Sequence, residues 1–363
     1  MPVLKKSSSR RRQRRGNFFA VLLLLAVLAG FGWHWWPHRP APKAAGHQPV
    51  SAAPPVAKAE PRKIPKPLVV VPASPADFPR PVRDVLEAQV ALARRAISPG
   101  ALDAALGSQT RAAIAAFQRS QHLAASAALD SNTRPVLTLA GPLLINYAVT
   151  TNDLARLQPL GRTWLAKSEQ SALDYETLLE LVAEKAHSHP LLIQKLNPEV
   201  NWTNVPAGTV LKIPSVDYPE PAAKAAFVII HLSGRFLEAF DQQTNLLAHF
   251  PCSIAAKVEK RPAGELQVTV IAPNPNYTVN PELFPESTEL QALGHKLILP
   301  PGPNNPVGVA WIGLNLPGYG MHGTPGPEQV GRTESHGCFR LANWDAEYLV
   351  KLVWVGMPVE VVP

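Results

Sequence analysis

Two short runs near the C-terminus, Met321-His322-Gly323-Thr324 and Ser335-His336-Gly337-Cys338-Phe339-Arg340-Leu341, decide how the rest of the chain is read. In an extended segment alternate side chains share a face, so His336, Cys338 and Arg340 are expected on one side, with Ser335 among those opposite. That side gathers an imidazole, a thiol and a guanidinium. A thiol of ordinary pKa, about 8.5, is mostly protonated at neutral pH, and neighbouring cationic groups favour the thiolate, which is the nucleophile. Gly337 lets a carbonyl approach the backbone closely, and the amides around Gly337 and Cys338 suit an oxyanion hole. His322, at the end of the preceding strand, is expected to act as general base and later as general acid.

Upstream of these runs the texture is alternating and apolar: Phe227-Val-Ile-Ile-His-Leu232, Arg235-Phe-Leu-Glu-Ala-Phe240, Leu246-Leu-Ala-His-Phe250 and Leu266-Gln-Val-Thr-Val-Ile271. Ser233-Gly234 and Pro262-Ala-Gly264 supply turn signals between them, which predicts a mainly-β, sandwich-like or barrel-like domain. Over residues 225–362 this segment resembles the YkuD-type L,D-transpeptidase catalytic domain, whose signature is H-G-T followed, after a short gap, by S-H-G-C-x-R. Arg261-Pro-Ala-Gly264 corresponds to that family's T-P-x-G turn with Arg in place of Thr. Pro301-Gly-Pro-Asn-Asn-Pro-Val-Gly308 corresponds to its G-P-x-N-P-x-G loop.

The resemblance implies roles. Cys338 is the nucleophile, His322 moves the proton, the Gly323 carbonyl orients the His322 ring, and His336, Gly337, Arg340 and Ser335 complete the site. Arg340 suits a substrate carboxylate. Phe339 stands where an aliphatic residue is usual. The implied reaction is attack of Cys338 on a peptidoglycan tetrapeptide stem, release of terminal D-Ala, and transfer of the acyl group from a thioester to an amine. A neighbouring stem gives a 3-3 cross-link, a protein lysine attaches a lipoprotein, and water makes the enzyme a carboxypeptidase. Related enzymes are acylated by carbapenems. No cofactor and no metal are implied.

Rival readings of the same residues are a zinc site, with His322, His336 and Cys338 as ligands and Glu334 as base, and an ordinary buried thiol. The spacing has neither the C-x-x-C nor the H-E-x-x-H form of strong zinc motifs, and a buried thiol leaves two His and an Arg among glycines unexplained. A non-catalytic wall-binding protein is the second class of function. Cys252, in Phe250-Pro-Cys-Ser-Ile254, has no such company and reads as a core thiol.

Two further modules precede this domain. Residues 84–140 are Ala-rich and helical in period, with Val85-Leu86, Val90 and Leu92, then Ile114 and Phe117. Ser108 or Thr110 is expected to cap the second helix. Gly107-Ser-Gln-Thr110, Ala113 to Gln118 and Asp130-Ser-Asn-Thr133 resemble the small three-helix peptidoglycan-binding domain. At 172–215, Leu178 to His187, Pro190 to Pro198 and Val205-Pro-Ala-Gly-Thr-Val-Leu-Lys-Ile-Pro214 resemble a LysM domain, a βααβ unit that binds glycans containing N-acetylglucosamine. Its first strand is not evident between Leu165 and Asp174. His187 and His189, two apart, point away from each other on a helix and read as a surface pair.

The N-terminus sets the topology. Residues 1–16 carry seven basic and no acidic side chains, and 17–36 carry no charge and end in Trp33 and Trp35-Trp36. As a helix, Phe18 to Trp36 is about 28 Å long, enough to span a bilayer. Basic residues before the span and aromatics after it place the remainder outside the cytoplasm. A cleaved signal peptide ending near Ala29 is the alternative. Thirteen prolines lie in 37–83, the composition of an extended tether.

The formal charge of +8 divides accordingly: +7 in the arm, +6 in the linker, and 20 basic against 25 acidic residues from Asp84 onward. A folded domain at −5 excludes a basic nucleic-acid-binding protein. The expected partners are peptidoglycan, its stem peptides and glycan, and the membrane through one helix, with a lipoprotein as a possible acceptor. The expected location is the cytoplasmic (inner) membrane, single-pass, with the catalytic domain in the periplasm or cell-wall space.

Overall fold

The computed structural model describes residues 77–335 and 337–363, all within one compact unit, Ile64–Pro363. The basic arm, the apolar run at 17–36 and most of the Pro-rich linker lie outside the described residues. Among those described, no helix is long and apolar enough to cross a membrane.

The helical module runs β1 (Arg80–Pro81), α1 (Val85–Ala93), α2 (Ser108–Ser120), α3 (Thr133–Val136) and β2 (Thr138–Leu139), with β1 pairing β2. Asp84 caps α1 by accepting from the Glu87 amide at 2.9 Å. The expected cap on α2 is not made, since that helix starts after Gly107 without a side-chain bond. Thr110 is buried instead and accepts from Gln89 Nε2 at 3.0 Å, while Thr133 accepts from Gln118 Nε2 at 2.7 Å. Both threonines that stood out in the sequence therefore satisfy buried glutamines of the core, where an unpaired amide would cost about 1–3 kcal/mol.

Next come β3 (Leu144–Ala148), α4 (Thr151–Ala155), α5 (Trp164–Ser168), α6 (Leu178–Lys185), α7 (Pro190–Leu196) and β4 (Val210–Pro214). β3 and β4 pair antiparallel, Ile145 opposite Ile213 and Tyr147 opposite Leu211, and α6 and α7 pack over Leu211 and Ile213. This is a βααβ unit whose first strand falls ahead of the expected start at 172. The segment 150–174, with its own short helices, separates that strand from α6, so local patterning around the helices could not reveal it.

The C-terminal domain comprises β5 (Phe227–His231), β6 (Phe236–Phe240), β7 (Leu246–Pro251), β8 (Gly264–Pro273), β9 (Tyr277–Val279), α8 (Thr288–Leu293), β10 (Leu297–Leu299), β11 (Ala310–Leu314), β12 (Gly320–His322), β13 (Phe339–Arg340), α9 (Asn343–Leu352) and β14 (Pro358–Val362). Eight strands form one sheet in the order β13-β12-β11-β8-β14-β5-β6-β7, with β12–β13 and β14–β5 parallel. The sheet curls on itself, because Ser253, just past β7, bridges Arg340 of β13 with bonds of 2.8 and 3.0 Å. Closure leaves one apolar interior, holding Val228, Ile230, Phe250, Cys252, Ile312, Met321 and Phe339 together with Leu349 and Leu352 of α9.

The modules are packed against each other. Ile97 forms a parallel bridge to His249, and Arg119 pairs with buried Glu238 at 2.5 Å. Leu192 and Leu196 of α7 enter the core of the helical module. His187 is not the surface residue expected: its ring stacks on Trp344 at 5.0 Å and meets Tyr218 edge-on at 4.8 Å. Burial pushes its pKa down to about 3. His189 caps α7, its Nδ1 accepting from the Leu191 amide at 3.1 Å.

Candidate active site

β12 and β13 run side by side, Met321 opposite Phe339 and His322 opposite Arg340. Met321 and Phe339 point into the core, so the residues alternating with them are turned to the other face. His322 therefore shares a face with Arg340. On its other flank His322 pairs in register with Trp311 of β11, the rings stacked at 5.6 Å and 25°. Trp311 drew no attention in the sequence, where it is one aromatic in an apolar strand.

His322 is 5% exposed, and its Nδ1 lies 2.6 Å from the Gly323 carbonyl, the contact that the resemblance implied. A carbonyl accepts only, so Nδ1 carries the hydrogen and Nε2 is left as the proton acceptor. Burial, aided by the Arg340 charge, pushes the imidazole down to about 4 against the Gly323 bond. At neutral pH the ring is uncharged and ready to accept a proton.

Cys338 is half-buried, and its Sγ donates to the Gly318 carbonyl at 3.3 Å. Burial raises its pKa, and the Gly320 amide and the Arg340 charge oppose that rise without overcoming it. Desolvation outweighs the one guanidinium and disfavours the thiolate.

The approach to the thiol is also not extended. Only Phe339–Arg340 is strand; Gly337 and Cys338 lie in a bend. Ser335 makes that bend, its Oγ donating to the Cys338 carbonyl at 2.5 Å and accepting from the Gly337 amide at 3.3 Å. Ser335 thus shapes the nucleophile loop. Arg340 Nη2 donates to the Glu334 carbonyl, so part of this guanidinium tightens the same loop. His336 lies outside the described residues. Among those described, no group of three or more His, Cys, Asp or Glu is arranged to hold a metal.

Residues beyond the two motifs complete the frame. Tyr319 donates to the Lys260 carbonyl at 3.0 Å and lines the space beside Gly337. Buried Asn343 presents Oδ1 to the amides of Thr324 at 3.0 Å and Val309 at 3.4 Å. A Cβ on Gly308, at φ +61°, or on Gly323 would stand 2.1 or 2.2 Å from that oxygen, so both glycines are required for close approach. A cavity of about 300 Å³ opens beside Arg340, lined by Ser253, Thr324, Val330 and Thr333.

A thiol, a tautomer-locked imidazole on a neighbouring strand and a glycine-bounded bend stand together on a closed, mainly-β sheet, groups of the kind that acyl transfer through a cysteine requires. Residues 225–361 match the family model described as "L,D-transpeptidase catalytic domain" (YkuD), and residues 82–137 the one described as "Putative peptidoglycan binding domain". "Putative L,D-transpeptidase YkuD" of Bacillus licheniformis is 26% identical over 188 residues, covering 52% of this chain and 94% of that protein. "Probable L,D-transpeptidase YbiS" of Escherichia coli K12 is 28% identical over 182 residues, 46% of this chain and 54% of its own length. The chain thus spans nearly all of the first relative and about half of the second. A solved "L,D-transpeptidase from Mycobacterium smegmatis" aligns with 44% of this chain and 76% of its own, at 17% identity and a TM-score of 0.30. The chain thus carries a YkuD-type L,D-transpeptidase catalytic domain over residues 225–361 and a peptidoglycan-binding domain over residues 82–137, which support a transpeptidase enzyme.

Proposed function

We propose that the protein is a membrane-anchored cysteine L,D-transpeptidase of the cell-wall space that acts on peptidoglycan tetrapeptide stems. One observation carries the reading: His322, locked with Nε2 as acceptor, stands on the strand adjacent to the one that follows the half-buried Cys338 thiol. His322 Nε2 takes the thiol proton as Sγ attacks the carbonyl that precedes terminal D-Ala. The amides around Gly337 and Cys338 receive the oxyanion. The carbon–nitrogen bond breaks, His322 returns the proton to the leaving D-Ala amine, and a thioester remains. An acceptor amine loses a proton to His322 as its nitrogen attacks the thioester, and the Cys338 thiol is restored.

The apolar run at 17–36 and its basic flank support the anchor and the export of everything beyond. The Pro-rich segment gives the enzyme reach from the membrane, and the helical and βααβ modules supply affinity for the wall. The acceptor is a second stem peptide in this reading. Mass spectrometry of products from the soluble portion, incubated with tetrapeptide stems with and without a lysine-bearing acceptor, tests it. Expected are D-Ala and a 3-3-linked dimer, both undiminished by a chelator. Tripeptide alone would make the enzyme a carboxypeptidase; acyl-lysine product would make protein attachment its role; loss of activity on chelation would overturn the cysteine mechanism.

A further inference from the structure

The carbonyl that orients His322 is itself held in place, and the last link in that chain does not belong to the catalytic domain. Asn343 Oδ1 accepts from the Thr324 and Val309 amides, on either side of the close contact between Gly323 and Gly308. Its Nδ2 donates to Glu184 Oε2 at 3.0 Å, to Glu184 Oε1 at 3.2 Å and to the Pro303 carbonyl at 3.2 Å. Glu184 lies on α6 of the βααβ unit, and Tyr175 of the same unit donates to its Oε1 at 3.0 Å.

The loop 301–308 is gripped from the same side. Leu173 donates to the Pro301 carbonyl at 2.8 Å and accepts from the Asn304 amide at 2.9 Å, and Asn304 Nδ2 donates to Glu180 at 2.6 Å. A Cβ on Gly302 would stand 2.2 Å from the Leu173 carbonyl oxygen. The carboxylate of Glu184 has no cation as hydrogen-bonding partner among the described contacts; its partners are an amide and a phenol. Burial raises its pKa to about 7. Stability alone does not favour a carboxylate there, since its desolvation outweighs its hydrogen bonds to Asn343 and Tyr175.

In its ionised form, above that pKa, Glu184 has one property that an apolar side chain and an amide lack: it only accepts. Facing Asn343, it dictates which end of the carboxamide points back. Nδ2 must turn to Glu184, which leaves Oδ1 to bind the Thr324 and Val309 amides beside Gly323. A reversed carboxamide would set an NH2 against two N–H donors and release the segment that carries the His322 carbonyl contact.

We propose that Glu184, supplied by the βααβ unit, is a positioning residue for the catalytic imidazole, acting through Asn343 on the Gly323–Thr324 backbone. The proposal rests on the acyl-transfer reading of Cys338 and His322, and it makes the accessory unit part of the catalytic apparatus as well as a wall-binding module.

Glu184→Ala in the soluble portion should lower kcat for D-Ala release by about 10-fold with KM within about 2-fold of wild type. Alkylation of Cys338 by iodoacetamide should slow by a similar factor. Glu184→Gln, which keeps an acceptor oxygen, should recover kcat to within about 3-fold. Thermal unfolding of each variant reports the folded fraction, and a kcat loss no larger than the loss of folded protein would overturn the proposal. So would Glu184→Ala with kcat and alkylation unchanged. The alkylation arm needs no substrate, so a wild-type enzyme inactive on tetrapeptides would sink the proposed reaction while still allowing the role of Glu184 to be judged.

Discussion

Two thiols flank one backbone bridge in this fold and meet opposite fates. Cys252 directly precedes Ser253, Cys338 comes two residues before Arg340, and Ser253 and Arg340 are bridged where the sheet closes. Cys252 points inward among Phe250, Ile254 and Phe339, is fully buried, and is pushed up to about 12 by that burial. Cys338 sits in a bend turned outward, half-buried, with the Gly320 amide and the Arg340 charge partly opposing its desolvation. The same side chain on either side of one bridge is thus sealed in the core or left half-buried beside Arg340 according to which face of the sheet it takes.

The sharpest way to break this contrast is to remove each sulfur. Cys338→Ala should abolish D-Ala release, by at least about 10³-fold, while sedimentation with purified sacculi stays unchanged. Cys252→Ala should leave turnover within about 2-fold and lower stability by about 1 kcal/mol through the lost core contact. Residual release by the Cys338 variant would end the thioester mechanism.

His322→Ala comes next. With the thiol still present but its acceptor gone, acylation by a carbapenem should slow by about 10²–10⁴-fold in stopped-flow fluorescence. An unchanged rate would mean that Cys338 needs no partner and that its outward position alone distinguishes it from Cys252.

Thiol titration with Ellman's reagent gives a smaller but cleaner separation. One thiol should react in the native protein and two after denaturation, because Cys252 opens only with the core. Two native thiols at similar rates would refute the inward placement of Cys252.

The pH profile is the finest test. His322 folds with its pKa lowered to about 4, so the base form persists down to that pH and is lost below it. Wild-type carbapenem acylation should therefore hold steady as pH falls from neutrality and decline only through about 4. A decline centred near the ordinary histidine value of about 6.5 would show that the ring is better solvated than this geometry places it.

Much of this was legible beforehand because it is local. The strands of the catalytic domain announced themselves by alternation, the helices of the accessory modules by period, and the contact between His322 and the Gly323 carbonyl by the motif that holds both. Ser335 and Arg340 were visible as residues but not as what they do: their bonds to the Cys338 and Glu334 carbonyls exist because the segment bends, and an extended reading cannot foresee them. Trp311, Asn343 and Glu184 had no signal at all. Each is an ordinary residue type in an ordinary strand or helix, and each matters through a neighbour distant in the chain.

The sequence by itself determined most of the strands and helices and singled out Cys338 and His322 as the candidate pair, since these follow from side-chain chemistry and short-range periodicity. Only the tertiary structure decided protonation and connection. Burial pushed the His322 pKa down and the Cys338 pKa up, sheet closure turned one cysteine into the core and left the other half-buried, and packing of the βααβ unit brought Glu184 to Asn343. Desolvation and long-range hydrogen bonds depend on what surrounds a group in space, which no run of neighbouring residues specifies.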